Sequence, residues 1–141
     1  LKARVERAAA WLGEEGASPS DALTVLLAAL EAATPAALVI DMVEQGLDQA
    51  TQEALSAYLR RQASGERPLF AMTRSSSILD LADVGANEAI LVCPANHSPP
   101  TVVSPYPGAP GYEAVATCLA PPDVRARTQG VIAWRPVKAS S

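Results

Sequence analysis

Two groups of residues in this chain have types and spacings that could do chemistry. The first centres on Asp41, which closes the apolar run Ala37-Leu38-Val39-Ile40 and leads into a turn containing Gly46. An apolar run without polar alternation reads as a strand covered on both faces, and open parallel sheets place ligands at the carboxyl ends of their strands. A carboxylate there can hold a hydrated magnesium ion beside a nucleotide's phosphates. The second group is Cys93 with His97, a thiol and a base four residues apart. No second Cys/His pair completes a zinc site, and no third group is evident to orient the histidine. Neither G-x-S-x-G nor GxxxxGK[ST] occurs, so the chain has no nucleophile elbow and no phosphate-cradling loop of its own.

The elements that must position these residues can be read from periodicity. Val5, Ala8, Ala9 and Leu12 repeat at helical spacing, with Gly13 as a stop. Ser18-Pro19-Ser20-Asp21 reads as a helix start with Ser18 at the N-cap, Pro19 in the first turn and Asp21 favoured by the dipole. The helix that follows carries Leu23, Leu26, Leu27 and Leu30 on one face, is expected to be buried on most sides, and ends at Pro35. Asp48 can cap a further helix from Gln49 to about Ala63, with Ala54, Leu55, Tyr58 and Leu59 inside and Arg60 and Arg61 at its negative end.

Pro68 to Thr73 reads as a second buried strand, followed by a turn with a short helix from Arg74 to Leu81. Glu88 to Cys93 and Thr101 to Val103 read as two more strands, joined by a Pro/Asn/Ser-rich loop. That alternation of strands and helices predicts parallel strands with right-handed crossovers. Beyond Pro105 a loop at Pro107–Gly111 is expected, then short helices over Tyr112–Cys118 and Pro122–Thr128, and an apolar stretch Val131–Trp134.

Composition bounds the function classes. The chain has 141 residues, 49% of them hydrophobic, and its 11 basic and 15 acidic residues give a net charge of −4. No Lys/Arg cluster exceeds Arg60–Arg61, so direct nucleic-acid contact is not expected. Cys93 and Cys118 form no CxxC pair and read as buried free thiols of a reducing, cytoplasmic compartment. The longest apolar region, Ala22 to Ile40, is broken by Glu31 and Pro35, which argues against a membrane span, and no signal peptide is visible. A first residue of Leu1 rather than Met suggests a fragment or a processed product.

From Ala17 to about Val103 the chain resembles the second half of an ATP-binding-cassette-type ATPase domain, in the branch whose Walker B segment reads Asp-Glu-Pro-Glu and continues to Gly-Leu. Asp41 matches the magnesium-associated Asp, Glu44 the second Glu, and Gly46-Leu47-Asp48 the D-loop. Thr73-Arg74-Ser75-Ser76 resembles the Thr-His-Ser-Pro switch segment, and Ala17-Ser18-Pro19-Ser20-Asp21 falls where the signature Leu-Ser-Gly-Gly-Gln would lie, with only Ser18 agreeing.

The resemblance implies an α/β, P-loop-NTPase-like layered fold with a mostly parallel sheet, lacking the phosphate-loop half. Residues 1–104 would form the ATPase-like part and residues 105–141 an extension. Asp41, Glu44, Arg74 and Ser18 are then the expected nucleotide-binding residues, Asp41 the metal ligand, and ATP and magnesium the cofactors, both conditional on a phosphate loop supplied elsewhere. A homodimer or a partner protein is implied as well.

The departures bear on activity. Met42 stands where the water-polarising Glu belongs, and a thioether cannot accept that proton. Arg74 replaces the switch His; it could bind phosphate oxygens bidentately but cannot shuttle a proton. Plainer expectations stand beside these. Met42 packs in a core, Glu44 is a solvated turn residue, Arg74 pairs with Asp41 or Glu44, and Ser75–Ser77 supply turn chemistry. The alternative function is a non-catalytic protein-interaction module derived from the ATPase fold.

Overall fold

Apolar spacing at three and four residues makes α1 (Lys2–Glu14), which buries Ala8 and Leu12. In the computed structural model, which describes residues 1–62, 67–94 and 98–118, α1 runs through Gly13, and the chain reverses instead at Gly16, whose φ is +97°. Next comes α2 (Asp21–Glu31). Its N-cap is Ser20 and not Ser18, because the Ser20 hydroxyl oxygen accepts the Leu23 amide at 3.1 Å. Leu23, Leu27 and Leu30 are buried, whereas Val25 is 70% exposed, so α2 buries one stripe and not most of its circumference.

α2 ends at Glu31, four residues before Pro35. The Arg67 guanidinium closes that end by donating to the carbonyls of Leu30 and Ala32, the latter at 2.8 Å. A cation bonded to the last carbonyls of a helix satisfies both the orphan acceptors and the dipole.

β1 (Leu38–Ile40) and β2 (Leu69–Ala71) pair in parallel, with Leu38 opposite Leu69, Val39 opposite Phe70 and Ile40 opposite Ala71. Between them runs α3 (Gln49–Gln62), which buries Ala54, Leu55 and Tyr58 as its spacing predicts. Asp48 caps it, accepting the Thr51 amide at 2.8 Å. The strands are not covered on both faces. Leu38, Ile40 and Leu69 pack on the helices, while Val39 is 64% and Phe70 59% exposed on the other face. Alternation along a strand puts neighbours on opposite faces, and among the described residues helices pack against only one of those faces.

The expectation of parallel strands throughout fails at the second pair. A 3-10 turn (Leu81–Asp83) leads to β3 (Ile90–Val92) and β4 (Thr101–Val103), which form a separate antiparallel pair, Ile90 opposite Val103. Only eight residues separate them, too few for a parallel crossover, which needs about a dozen residues or more, so the chain folds back. α4 (Tyr112–Cys118) forms where expected, and Tyr112 and Val115 pack with Ile90 and Val103 in a small second core. The segments Pro122–Thr128 and Val131–Trp134, and His97, lie outside the described residues.

Charge and aromatic contacts tie the helices together. Arg60 pairs with Asp80 at 3.0 Å and with Glu88 at 3.6 Å, linking α3 to the segment before β3. Arg61 stacks its guanidinium 4.6 Å from the Trp11 ring centroid. Tyr58 donates its hydroxyl to the Glu31 carboxylate and accepts from Gln62.

Burial first, and then that bond to Glu31, push the Tyr58 phenol up to about 12 from its ordinary 10.0. A raised folded value means that folded Tyr58 keeps its proton where the unfolded chain loses it. The Tyr58 contribution should therefore be whole below pH 10 and drain away as pH rises toward 12. Urea melts between pH 9 and 12 should show this fall. Tyr58→Phe, weaker at neutral pH for want of the hydroxyl bonds, should show a flatter alkaline decline. Parallel declines in the two proteins would contradict it.

Candidate functional site

β1 and β2 end side by side, and their pairing continues past the strand ends. The Met72 amide donates to the Ile40 carbonyl at 2.8 Å, and the Val43 amide donates to the Met72 carbonyl at 3.1 Å. Asp41 and Arg74 therefore leave the same end of neighbouring parallel strands, the arrangement their positions in the sequence required. Both are exposed, and neither side chain makes a hydrogen bond or ion pair among the described residues. The expected salt bridge from Arg74 to Asp41 or Glu44 is not formed.

Just after Asp41 the backbone enters the left-handed region at Met42, with φ +48°. That conformation is uncommon for a residue with a long side chain. Its consequence is a sharp reversal: Asp41 and Met42 stay outside, while Val43 and Glu44 turn inward at 3% and 4% exposure. Met42, 37% exposed, is not core packing.

Glu44 is accordingly not a solvated turn residue. Its Oε2 accepts the Thr73 hydroxyl at 2.7 Å and its Oε1 accepts the Arg74 amide at 3.0 Å. This carboxylate fastens the turn after β1 to the loop after β2. It holds the backbone of Arg74 and leaves the guanidinium to solvent.

The turn closes at Gly46, φ +75°, where an added Cβ would lie 3.1 Å from the Ala22 Cβ on α2. The left-handed φ and the close helix both call for glycine at that position of the Gly-Leu-Asp segment.

Ser18 lies apart from Asp41 and Arg74 in its bonding. Its amide donates to Thr51 Oγ1 at 2.8 Å, beside the Asp48 cap. The Thr51 amide, and after it the Thr51 and Ser18 hydroxyls, hold the Asp48 carboxyl below its ordinary value. Sequence reasoning did not single out Thr51 or Gln52, buried polar residues in the first turn of α3. Gln52 Nε2 donates to the Leu47 carbonyl at 2.8 Å and its Oε1 accepts the Ser75 hydroxyl at 2.6 Å. The only advance signal was position: both fall one turn after the Asp48 cap, on the side that also presents Leu55 and Tyr58.

Ser75 is fully buried and accepts the Ser77 amide at 3.2 Å, the turn chemistry expected of the serine run. Cys93 is exposed, contrary to the expectation of a buried thiol, and the structure shows no partner base for it among the described residues.

For magnesium, the fit offered is a single carboxylate, Asp41; among the described residues no group of three or more His, Cys, Asp or Glu is placed to hold a metal. Magnesium usually keeps several waters and takes one or two carboxylates together with substrate phosphates, so a lone exposed Asp suits one corner of such a sphere. A separate cleft of about 980 Å³ lies between the ends of α2 and α3 and the segment leading to β3. Its charged groups are engaged with one another or with backbone, as Arg60 is with Asp80 and Arg67 with the end of α2. No helix of the described residues is long and apolar enough to cross a membrane. Comparison with protein-family models, with curated proteins and with solved structures returns no match for this chain.

Proposed function

We propose that this chain supplies the magnesium and phosphate-sensing half of an ATP-binding-cassette-like ATPase site, whose phosphate loop comes from another segment or a partner. One observation carries the reading: adjacent parallel strands deliver Asp41 and Arg74 at the same end, both exposed and unpaired among the described residues. In this role Asp41 faces the hydrated magnesium and Arg74 grips oxygens of the terminal phosphate. Glu44 acts indirectly, by holding the Arg74 backbone, since its two oxygens already serve Thr73 and Arg74. Met42 offers no base to the attacking water, so the expected output is nucleotide binding with little hydrolysis. The bare face of Val39, Phe70 and Met72 fits a sheet that needs a further layer to be complete.

Thermal melting of the chain with about 10 mM MgATP tests the reading. A ligand with a Kd near 1 mM would raise the midpoint by roughly 2–5 °C. The Asp41→Ala, Arg74→Ala double variant should lose that rise, and EDTA should reduce it in the parent chain. An unmoved midpoint would favour the second reading, a protein-interaction module without nucleotide. That reading draws on the same exposed apolar residues, which on a soluble surface often mark a contact site.

A further inference from the structure

Two adjacent side chains in the first turn of α3 reach every loop at the carboxyl end of the parallel pair. Thr51 is 1% and Gln52 3% exposed, unusual burial for such polar groups. Thr51 binds the loop before α2 through the Ser18 amide, and its own amide is capped by Asp48. Gln52 binds the turn after β1 through the Leu47 carbonyl and the loop after β2 through the Ser75 hydroxyl. From Ser75 the bonds continue. Its amide donates to Thr73 Oγ1 at 3.0 Å, the Thr73 hydroxyl donates to Glu44, and Glu44 accepts the Arg74 amide. No buried side-chain nitrogen or oxygen of the described residues is left without a partner.

We propose that the first turn of α3 is a mechanical coupler, through which the Asp48 cap sets the order of the loop that carries Arg74. The physical basis is the cap. Without the Asp48 carboxylate the Thr51 amide loses its acceptor, and the first turn frays before any other part of the helix. Gln52 rides on this turn and cannot keep both of its bonds when its backbone moves. Buried networks of this kind hold their geometry as a unit, because a half-made set leaves costly unpaired groups. The coupling belongs to the fold and stands whether or not Arg74 meets a phosphate.

Native-state hydrogen exchange tests it without any nucleotide, so its failure is separable from failure of the ATPase reading. In Asp48→Ala the Thr51 amide should exchange faster. So should the amides of Arg74, Ser75 and Ser77, residues that Asp48 does not touch, by about fivefold. The Met72 amide in the sheet and those of α1 should be unchanged. In Gln52→Met the Arg74–Ser77 amides should already be fast, and adding Asp48→Ala should raise them no further. Gln52→Glu, which keeps an acceptor for Ser75, is the milder variant and should preserve the transmission. Three results would overturn the proposal: acceleration confined to Ser18 and Thr51, a uniform rise that includes Met72 and α1, or a full additional effect of Asp48→Ala on Gln52→Met.

Discussion

Replacing Glu44 by alanine is expected to cost about 3 kcal/mol of stability, a large loss for a residue in a turn. The carboxylate is 4% exposed and accepts both the Thr73 hydroxyl and the Arg74 amide. Truncation leaves those two donors facing a space with no acceptor, and the cost of an unsatisfied buried donor exceeds the net worth of the bond it made. Glu44→Gln keeps the shape. Its amide oxygen can take one donor while its NH₂ opposes the other, so about half the loss is expected. Urea melts at neutral pH measure both, with the midpoint falling and the slope unchanged. A residue reserved for a ligand behaves differently, because removing it leaves stability unchanged or improves it. A Glu44→Ala chain as stable as its parent would therefore return Glu44 to the list of direct ligands.

Leu27→Ala should be the more damaging change, at about 3–4 kcal/mol. Leu27 is fully buried in the core that Leu12, Leu23, Leu30, Val43, Leu55 and Tyr58 also form, a cluster drawn from α1, α2, α3 and the turn after β1. The loss combines the transfer free energy of the removed carbons with the cavity they leave, and Leu27, at 0% exposure, lies where the cavity is closed to water. Domains of this size hold about 5–15 kcal/mol in total, so the variant should melt roughly 10–15 °C lower and bring some of the population near unfolding. Val25→Ala, two residues away but 70% exposed, should lie within about 0.5 kcal/mol of the parent. Equal effects at positions 25 and 27 would mean that α2 packs by a different face.

Much of the local structure was legible because it depends on short-range rules. Asp48 before a run of helix-forming residues did cap α3, since an N-cap needs only a side-chain oxygen and the amides one turn ahead. The prediction for the helix before it failed on the choice between two serines. Ser18 and Ser20 are chemically equal, and Ser20 takes the cap because its oxygen meets the Leu23 amide, while the Ser18 amide is drawn to Thr51, 33 residues away. The apolar run at Val39 misled for a related reason. Hydrophobicity says that a residue prefers burial; it does not say that this chain supplies something to bury it.

The site shows the same division. Residue types and order alone indicated that Asp41 and Arg74 close successive strands, because strand ends follow from apolar runs and the residues that interrupt them. Whether those strands lie parallel and adjacent, whether Glu44 faces water or the interior, and which buried amide joins the turns were settled by packing. The left-handed Met42 turns Glu44 inward, and α3 then places Thr51 and Gln52 beneath three loops. These outcomes depend on hydrogen bonds between residues some 20 to 30 positions apart. Such bonds have no local signature, since any buried donor accepts whichever acceptor the assembled core brings within reach.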